Sequence, residues 1–288
     1  MRTLNYQIKQ LCLRNRDGSY ATQLARERDL SLSATQLLEL GHRRMSVHSL
    51  KPKHVKGLVN RWQNEGLSAG TIKNRMAHLR WWSEKIDKRS VIANDNATYA
   101  IADRVYVTNA SKARELQGEQ LAKVTDPCTA FALQLQAAFG LRLEESIKFT
   151  PAYADQCKSL VLKASWCKGG RARTIPVTTV EQRQLLDAVR AYCGGASLIP
   201  AGIRYIDQLR RFKYQCAKAG IDHVHGHRHA YAQQRYRVLA GWECPACGGP
   251  TSKALTELQK EIDRSARLQI SSELGHEREQ ITAIYLGR

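Results

Sequence analysis

The sequence predicts an α+β protein in two domains, mostly α-helical and with one small β-sheet. Apolar residues recur at helical spacing through the first third of the chain, where no β-rich run occurs. Two short β-rich runs flank Gly169-Gly170 in the second half, which is typical of a hairpin. A length of 288 residues suits two domains. We place a helical domain at 1–108, a linker without helical periodicity at 109–114 and a second domain at 115–288.

Amphipathic segments define the helices of the first domain. A proline-free segment from Tyr20 to Leu40 carries leucines at helical intervals, and a second helix begins near Pro52, because proline fits the first turn of a helix. A third helix runs from Ile72 to Ile86 with its apolar residues along one stripe, and Ser68 or Thr71 is its expected N-cap.

The second domain mixes helices with the hairpin. A helix is expected from Ala130 to Phe139, ending at Gly140. The runs at 159–163 and 173–177 are rich in β-branched residues and leucine, so they form the hairpin or a small sheet edge. Further helical segments are expected at 180–192, 203–218, 228–239 and 253–273.

The charge and composition of the chain favour some classes of function over others. Lys and Arg number 45 against 26 Asp and Glu, giving a net charge of +19 and a pI near 9.8. Such a balance points to nucleic acid or an anionic membrane surface. A membrane role is disfavoured, because no apolar run approaches spanning length and the first ten residues lack a signal-peptide core. The scattered cysteines suit a reducing cytoplasm, with no membrane partner.

Four short motifs contain side chains that can carry chemistry. They are GLRLEE with Arg142 and Glu145, KGGRAR with Lys168, HVHGHRH with His225 and Arg228, and LGH with His276, followed nine residues later by Tyr285. Taken singly, each has an ordinary structural explanation, such as a surface ion pair on a helix, a solvated hairpin tip, a metal cluster or a core aromatic. A histidine and an arginine at the start of a helix would also bind phosphate, because free backbone N–H groups lie there.

In combination, these motifs resemble the tyrosine recombinase (phage integrase) family. The order of arginine, lysine, His-x-x-Arg, Leu-Gly-His and a tyrosine nine residues further on spans 140–285. The stretch LKPKHVKGLVNRW and the later GLSAGTIKNRMAHLRWW are similar to the family's helical, SAM-like core-binding domain, and the second domain would be its catalytic domain. The FGLR and YLGR segments resemble integrases of integrative elements and prophages.

The resemblance implies a site-specific recombinase that cuts and rejoins DNA strands through a 3′-phosphotyrosine, without metal, ATP or other cofactor. Tyr285 would be the nucleophile, Arg142 and Arg228 would hold the phosphate oxygens, and Lys168 would protonate the leaving oxygen, with Lys163 and Arg171 as nearby competitors. His225 and His276 would bond the phosphate or move protons, and Glu145 would orient Arg142 or support the fold. These side chains must converge on one phosphodiester that the phenol can reach.

The expected partners follow from the same resemblance. They are double-stranded DNA attachment sites, further copies of the chain in a tetramer on DNA, and DNA-bending accessory proteins, in the cytoplasm and at the nucleoid. Basic side chains expected to contact DNA phosphates are Lys53, Lys56, Lys73, Arg75, Arg80 and Arg171. Trp62, Trp81 and Trp82 are expected in the core rather than on bases.

Two departures from the family pattern concern the region around the tyrosine. Arg228 and His276 are separated by a longer interval than usual, which indicates an insertion around 240–262. This insertion contains Cys244 and Cys247, half of a zinc-site pattern, although a plain Gly/Pro-rich loop explains them better than a metal. Only three residues follow Tyr285, so the family's tail that docks on a neighbouring protomer is not expected, nor is an N-terminal arm-binding domain.

Three other functions are compatible with the sequence. One is a DNA-binding regulator of the same fold that has lost catalysis, and another is a type IB topoisomerase, which shares the chemistry but relaxes supercoils. The third is a zinc-dependent nucleic-acid binder.

Overall fold

The computed structural model describes residues 3–276 and 278–288, and it divides into two compact units, Met1–Val105 and Tyr106–Arg288. The first unit is built from α1 (Thr3–Arg14), α2 (Tyr20–Glu39), α3 (Pro52–Asn64) and α4 (Ala69–Lys85). Sequence periodicity predicted α2 to α4 and missed α1. Ser68 caps α4, since its hydroxyl accepts from the backbone N–H of Thr71 at 3.2 Å.

The core of the first unit explains two of its tryptophans. Trp62 and Trp82 are fully buried, and each indole N–H finds an acceptor, on Gln36 at 2.8 Å and on the carbonyl of Val47 at 2.9 Å. These two are core residues, as expected. Trp81 packs against the same core at its edge and carries the guanidinium of Arg26 over its ring.

The second unit is mostly helical around one hairpin, which confirms the predicted fold class. Its elements are α5 (Gly118–Ala122), α6 (Pro127–Phe139), α7 (Leu143–Ile147), α8 (Pro151–Ala154), β1 (Ser159–Leu162), β2 (Arg173–Pro176), α9 (Val180–Cys193), α10 (Tyr205–Ala219), α11 (Gly226–Ala240), α12 (Glu257–Glu273) and α13 (Glu279–Leu286). Strands β1 and β2 pair antiparallel, with Ser159 opposite Pro176 and Leu162 opposite Arg173. Within the described residues, no helix is long and apolar enough to cross a membrane.

The core of the second unit sets the positions of the candidate site. Buried side chains of α6, α9, α11, α12 and the hairpin form one cluster, which also includes Tyr285 and Leu286 of α13. Helix α11 contacts α6, α12 and α13, so it lies at the centre of this unit. The segment expected as a linker, 109–114, contacts this unit, because Arg114 N–H donates to the carbonyl of Gly226 and Ser111 bonds Gln233.

Candidate active site

The phenol of Tyr285 lies among cationic and imidazole side chains from distant parts of the chain. Its hydroxyl is 3.4 Å from Nε of Arg228 and 3.5 Å from Nε2 of His225. The phenol ring stacks on His276, with centroids 5.4 Å apart and planes at 22°. Tyr285 is only 6% exposed, so the access that the sequence analysis expected of the phenol is not present in this structure. The ring is enclosed while its hydroxyl faces the cationic group.

Arg228 occupies the centre of the cluster. It is 1% exposed, and its two terminal nitrogens donate to the backbone carbonyls of Gly140 and Leu274. Its Nη2 also lies 3.4 Å from Nε2 of His276. Burial lowers the pKa of the guanidinium to about 10, and the nearby charges of Arg142 and Arg173 act in the same direction. The guanidinium therefore stays charged at neutral pH and is fixed in orientation by the backbone around it.

Two glycines allow the backbone to approach this cluster closely. Gly140 ends α6 at a φ of +60°, and a Cβ there would lie 2.6 Å from the Tyr231 ring. Gly275 has a φ of +65°, and its Cβ would lie 2.8 Å from Cδ of Arg173. The glycines of the GLR and LGH motifs are thus required by geometry, because any side chain would displace groups that hold the site.

Arg142 is held by a buried carboxylate. Glu145 is fully buried, accepts from the backbone N–H of Arg142 at 2.6 Å and from its Nη1 at 3.0 Å. It also accepts hydrogen bonds from both terminal nitrogens of Arg173, at 2.7 and 2.6 Å. Burial alone would raise the pKa of Glu145, but the hydrogen bonds and charge of Arg173, and then Arg142, lower it to about 2. Glu145 is therefore ionised at neutral pH, and its hydrogen bonds orient Arg142.

Arg173 is a site residue that sequence reasoning missed. It is 8% exposed and also donates from Nε to the carbonyl of Glu273 at 2.9 Å, so it connects β2 to the end of α12. The signal was present in the strand itself. Successive side chains of a strand point to opposite faces, so Arg173 lies on the same face as Ile175, and residue 174 lies on the exposed face. This alternation places an arginine on the buried face of the strand.

The imidazoles around Tyr285 are kept neutral. Burial, and then the charges of Arg228 and Arg142, lower the pKa of His276 to about 3 and also lower the pKa of His225. His229, which the sequence analysis did not assign, is 5% exposed and its ring lies 4.5 Å from that of Tyr285. Burial and the neighbouring His225 lower the pKa of His229 to about 4. At neutral pH these rings are hydrogen-bond acceptors as well as donors.

Lys168 is placed differently from the other expected residues. It is exposed in the turn between β1 and β2, and within residues 3–276 and 278–288 it makes no hydrogen bond or ion pair. Lys163, the competing lysine, lies with its ammonium 4.2 Å from the Tyr153 ring centroid. Arg171 is exposed in the same turn as Lys168. Among the described residues, the structure brings the arginines, histidines and tyrosine together, and Lys168 makes no hydrogen bond or ion pair with them.

The basic residues expected to grip DNA divide into two groups. Lys53 and Lys56 are exposed on α3. The other three of the first unit already have intramolecular partners. Lys73 pairs with Asp103 at 2.7 Å, Arg75 lies over the Trp62 ring, and Arg80 donates to the carbonyls of Ala93 and Asp95. Arg80 therefore fixes the loop after α4.

Part of the insertion forms a compact turn. Pro245–Cys247 is a single 3-10 turn, and α12 begins at Glu257, inside the range assigned to the insertion. Cys244 is fully buried and Cys247 exposed. Among the residues that the structure describes, no group of three or more His, Cys, Asp or Glu side chains is arranged to hold a metal.

Comparisons with known proteins identify the family of the chain. The family model for the phage integrase N-terminal domain matches residues 1–91, and the integrase model matches residues 100–234. The chain belongs to the tyrosine recombinase (phage integrase) family. A comparison with curated protein sequences gives no significant match.

Solved structures share the fold at low sequence identity. A lambda integrase dimer bound to a COC′ core site is 16% identical, with a TM-score of 0.61 over 99% of this chain and 78% of that one. XerH recombinase in a post-cleavage complex with difH is 15% identical, with a TM-score of 0.58 over 99% and 81%. The Tn1549 transposon integrase with circular intermediate DNA is 16% identical, with a TM-score of 0.55 over 100% and 96%.

Proposed function

We propose that this protein is a site-specific DNA recombinase that cleaves and rejoins DNA through a 3′-phosphotyrosine formed by Tyr285, and so integrates or excises a mobile element. The observation that carries the proposal is the position of the phenol oxygen, 3.4 Å from Nε of Arg228 and 3.5 Å from Nε2 of His225. A candidate nucleophile, a fixed cation and a neutral base thereby lie side by side, as attack on one phosphodiester would require once the phenol is exposed.

The two arginines would hold the non-bridging oxygens of the scissile phosphate. Negative charge accumulates on these oxygens as the tyrosine oxygen attacks phosphorus, and a guanidinium offers a planar pair of donors for them. Arg228 is fixed by backbone carbonyls and Arg142 by Glu145, so little reorganisation is needed when the charge develops. Preorganised charge of this kind is usually the largest single contribution to rate.

Proton transfers complete the cycle in both directions. The phenol must lose its proton on attack, and neutral His225 is the acceptor beside it. The bond from phosphorus to the 5′ oxygen breaks, and Lys168 protonates that oxygen as it leaves. His276 bonds the phosphate next to Arg228. Rejoining reverses these steps, because the phosphotyrosine ester keeps the energy of the cut bond.

The burial of Tyr285 adds a conformational requirement. At 6% exposure the ring must shift, or α13 must move, before a DNA phosphate can contact the hydroxyl. Helix α13 has eight residues and packs on α11 and α12, so a displacement of this one short element would expose the phenol. It would separate the hydroxyl from Nε of Arg228 but leave the contacts of Arg228 with the carbonyls of Gly140 and Leu274, which lie outside α13.

The DNA partner and the assembly rest on charge and on the solved neighbours. A net charge of +19 favours binding to a polyanion. Structural neighbours include integrase dimers on core sites and a lambda integrase tetramer on a Holliday junction. We infer that this chain likewise assembles on double-stranded attachment sites as a tetramer, aided by DNA-bending proteins, in the cytoplasm and at the nucleoid. Among the phosphate contacts expected in the first unit, Lys53 and Lys56 are the exposed ones.

The test is covalent capture of DNA. A pool of nicked duplexes with a randomised core, in which the cut fragment diffuses away, is incubated with the full chain, and DNA that resists detergent is sequenced. The wild-type protein is expected to trap a defined sequence joined to Tyr285, and Tyr285→Phe to trap none. Capture by Tyr285→Phe, or no capture by wild type, would overturn the proposal. Omitting metal or adding a chelator should leave capture unchanged.

A second candidate function is a DNA-binding regulator without catalysis, which the burial of Tyr285 favours. Such a protein would bind the same pool reversibly and leave no detergent-resistant DNA. Plasmid relaxation without recombination between two captured sites would indicate a type IB topoisomerase instead.

A further inference from the structure

The chain segment carrying Tyr285 is held in its own subunit by a set of polar contacts from residues that take no direct part in the proposed chemistry. We call the side chains of Asn109, Ser111, Gln233 and Cys247 the terminal clamp. Gln233 is 6% exposed, and its Nε2 donates to the backbone carbonyl of Tyr285 at 2.9 Å. A carbonyl in the last turn of a helix has no partner within that helix, so this bond satisfies an otherwise unpaired group.

The orientation of Gln233 is itself fixed from two sides. Its Oε1 accepts from the hydroxyl of Ser111 at 2.9 Å and from the thiol of Cys247 at 3.1 Å. With the amide oxygen occupied by two donors, the amide nitrogen must face Tyr285. Ser111 belongs to the stretch expected as a linker, and Cys247 to the insertion, so both segments act on the same amide.

The residues after Tyr285 are held as closely. Asn109 donates to the carbonyl of Arg288 and accepts from its backbone N–H, both at 2.9 Å. Gly287 has a φ of +76°, and a Cβ there would lie 2.6 Å from Oδ1 of Asn109 and 2.9 Å from the backbone N of Ala246. Arg267 donates to the carbonyl of Gly287 at 3.0 Å. The insertion turn therefore packs against one side of this C-terminal segment.

We propose that Gln233 is a positioning residue for Tyr285, and that the insertion turn Pro245–Cys247 serves the same purpose by orienting Gln233 and packing against Gly287. This inference rests on the proposed function, because it takes Tyr285 as the nucleophile. The clamp fixes the backbone on which the phenol is carried, and so keeps its oxygen beside Arg228 of the same subunit. Positioning errors of about an ångström in such sites cost on the order of 10² in rate.

The main variant for the test is Gln233→Glu, which keeps an acceptor for Ser111 and Cys247 but places a carboxylate oxygen against the carbonyl of Tyr285. Gln234→Ala is the matched control, since Gln234 is the next residue of α11 and is exposed. Two quantities are measured on the full chain. These are hydrogen exchange of residues 279–288 and the single-turnover rate of adduct formation, with DNA affinity determined in parallel on the captured duplex.

Gln233→Glu is expected to raise exchange in 279–288 and to slow adduct formation about 10- to 100-fold at unchanged DNA affinity, whereas Gln234→Ala matches wild type. Cys247→Ala should slow the reaction to a smaller extent, and Cys247→Ser should restore it, because a hydroxyl replaces the thiol donor. Exchange and rate equal to wild type in Gln233→Glu would overturn the positioning role alone. Absence of any adduct in the wild type would overturn the proposed function and the positioning role with it.

Discussion

The buried cluster around Arg228 and the turn that carries Lys168 both hold positively charged side chains, but the first is buried and fixed and the second is exposed. Arg228 is 1% exposed and held by two carbonyls, whereas Lys168 is exposed, followed by two glycines at φ of +80° and +67°, and lies outside the contact network of the described residues. The arginine is fixed in orientation by the fold itself. In the proposed reaction, the lysine would adjust its position to the strand that is cut.

This difference is what the proposed chemistry would need. Stabilising the charge of a transition state requires groups that do not reorganise during the reaction. The free energy needed to orient these groups is therefore supplied when the chain folds. A general acid must reach one oxygen that moves as the bond breaks, and a flexible side chain on a glycine turn suits that task. If the comparison is right, variants of the buried group alter both stability and rate, and variants of the turn alter rate alone.

The largest effect is expected for Arg228. Arg228→Lys keeps a charge but loses the planar pair of donors to the carbonyls of Gly140 and Leu274, so we expect adduct formation to slow about 10²- to 10³-fold and the melting temperature to fall. Arg237→Ala, on the exposed side of the same helix, is the control and should change neither. A normal rate in Arg228→Lys would remove this arginine from the proposed mechanism.

Lys168→Ala should slow cleavage on the order of 10²-fold with no change in melting temperature. A substrate with sulfur in place of the leaving 5′ oxygen should restore the rate, because a thiolate leaves without needing a proton. Lys163→Ala, assayed beside it, is expected to retain most activity, since its ammonium packs on the Tyr153 ring. If the sulfur substrate rescued Lys163→Ala and not Lys168→Ala, the general acid would be Lys163.

Glu145→Gln tests the support of the arginines with a smaller effect on rate. Arg173 would keep its buried charge without the carboxylate, so we expect the free energy of unfolding to fall by about 3 kcal/mol. Glu144→Gln, at the exposed neighbouring position, should change it by less than about 0.5 kcal/mol. Urea titrations at neutral pH measure both, and equal effects of the two substitutions would show that Glu145 does not anchor the arginines.

The smallest effect within any one pH unit is a pH dependence of stability from each of the neutral imidazoles. The pKa values of His276 and His229 are about 3 and about 4 in the folded chain, below the ordinary value for histidine. Between about pH 6.5 and those values the unfolded chain binds more protons. The free energy of unfolding should therefore fall on acidification, by at most about 1.4 kcal/mol per pH unit for each group, and should not change above about pH 7 on their account. Urea titrations of His229→Gln should show a shallower dependence, and a dependence equal to that of the wild type would show that His229 does not contribute to it.

Much of the fold could be read from local patterns. Helices α2, α3 and α9 follow the periodicity of their apolar residues, and the hairpin follows from two β-rich runs around paired glycines. Helix α1 was missed, and so was the role of Arg173. Arg173 and Glu145 are 28 positions apart, so local spacing gives no reason to expect their contact. Such pairs depend on which faces of separate elements meet in the core.

The sequence by itself indicated the family, the fold class and the candidate side chains other than Arg173 and His229, because residue order and helical or strand periodicity are local properties. The tertiary structure alone decided that Arg228 is buried and held by backbone carbonyls, that the imidazoles are neutral, that the phenol is enclosed, and that the insertion turn packs against Gly287. Burial, protonation and access depend on what packs around a group, and packing joins residues that the chain keeps far apart.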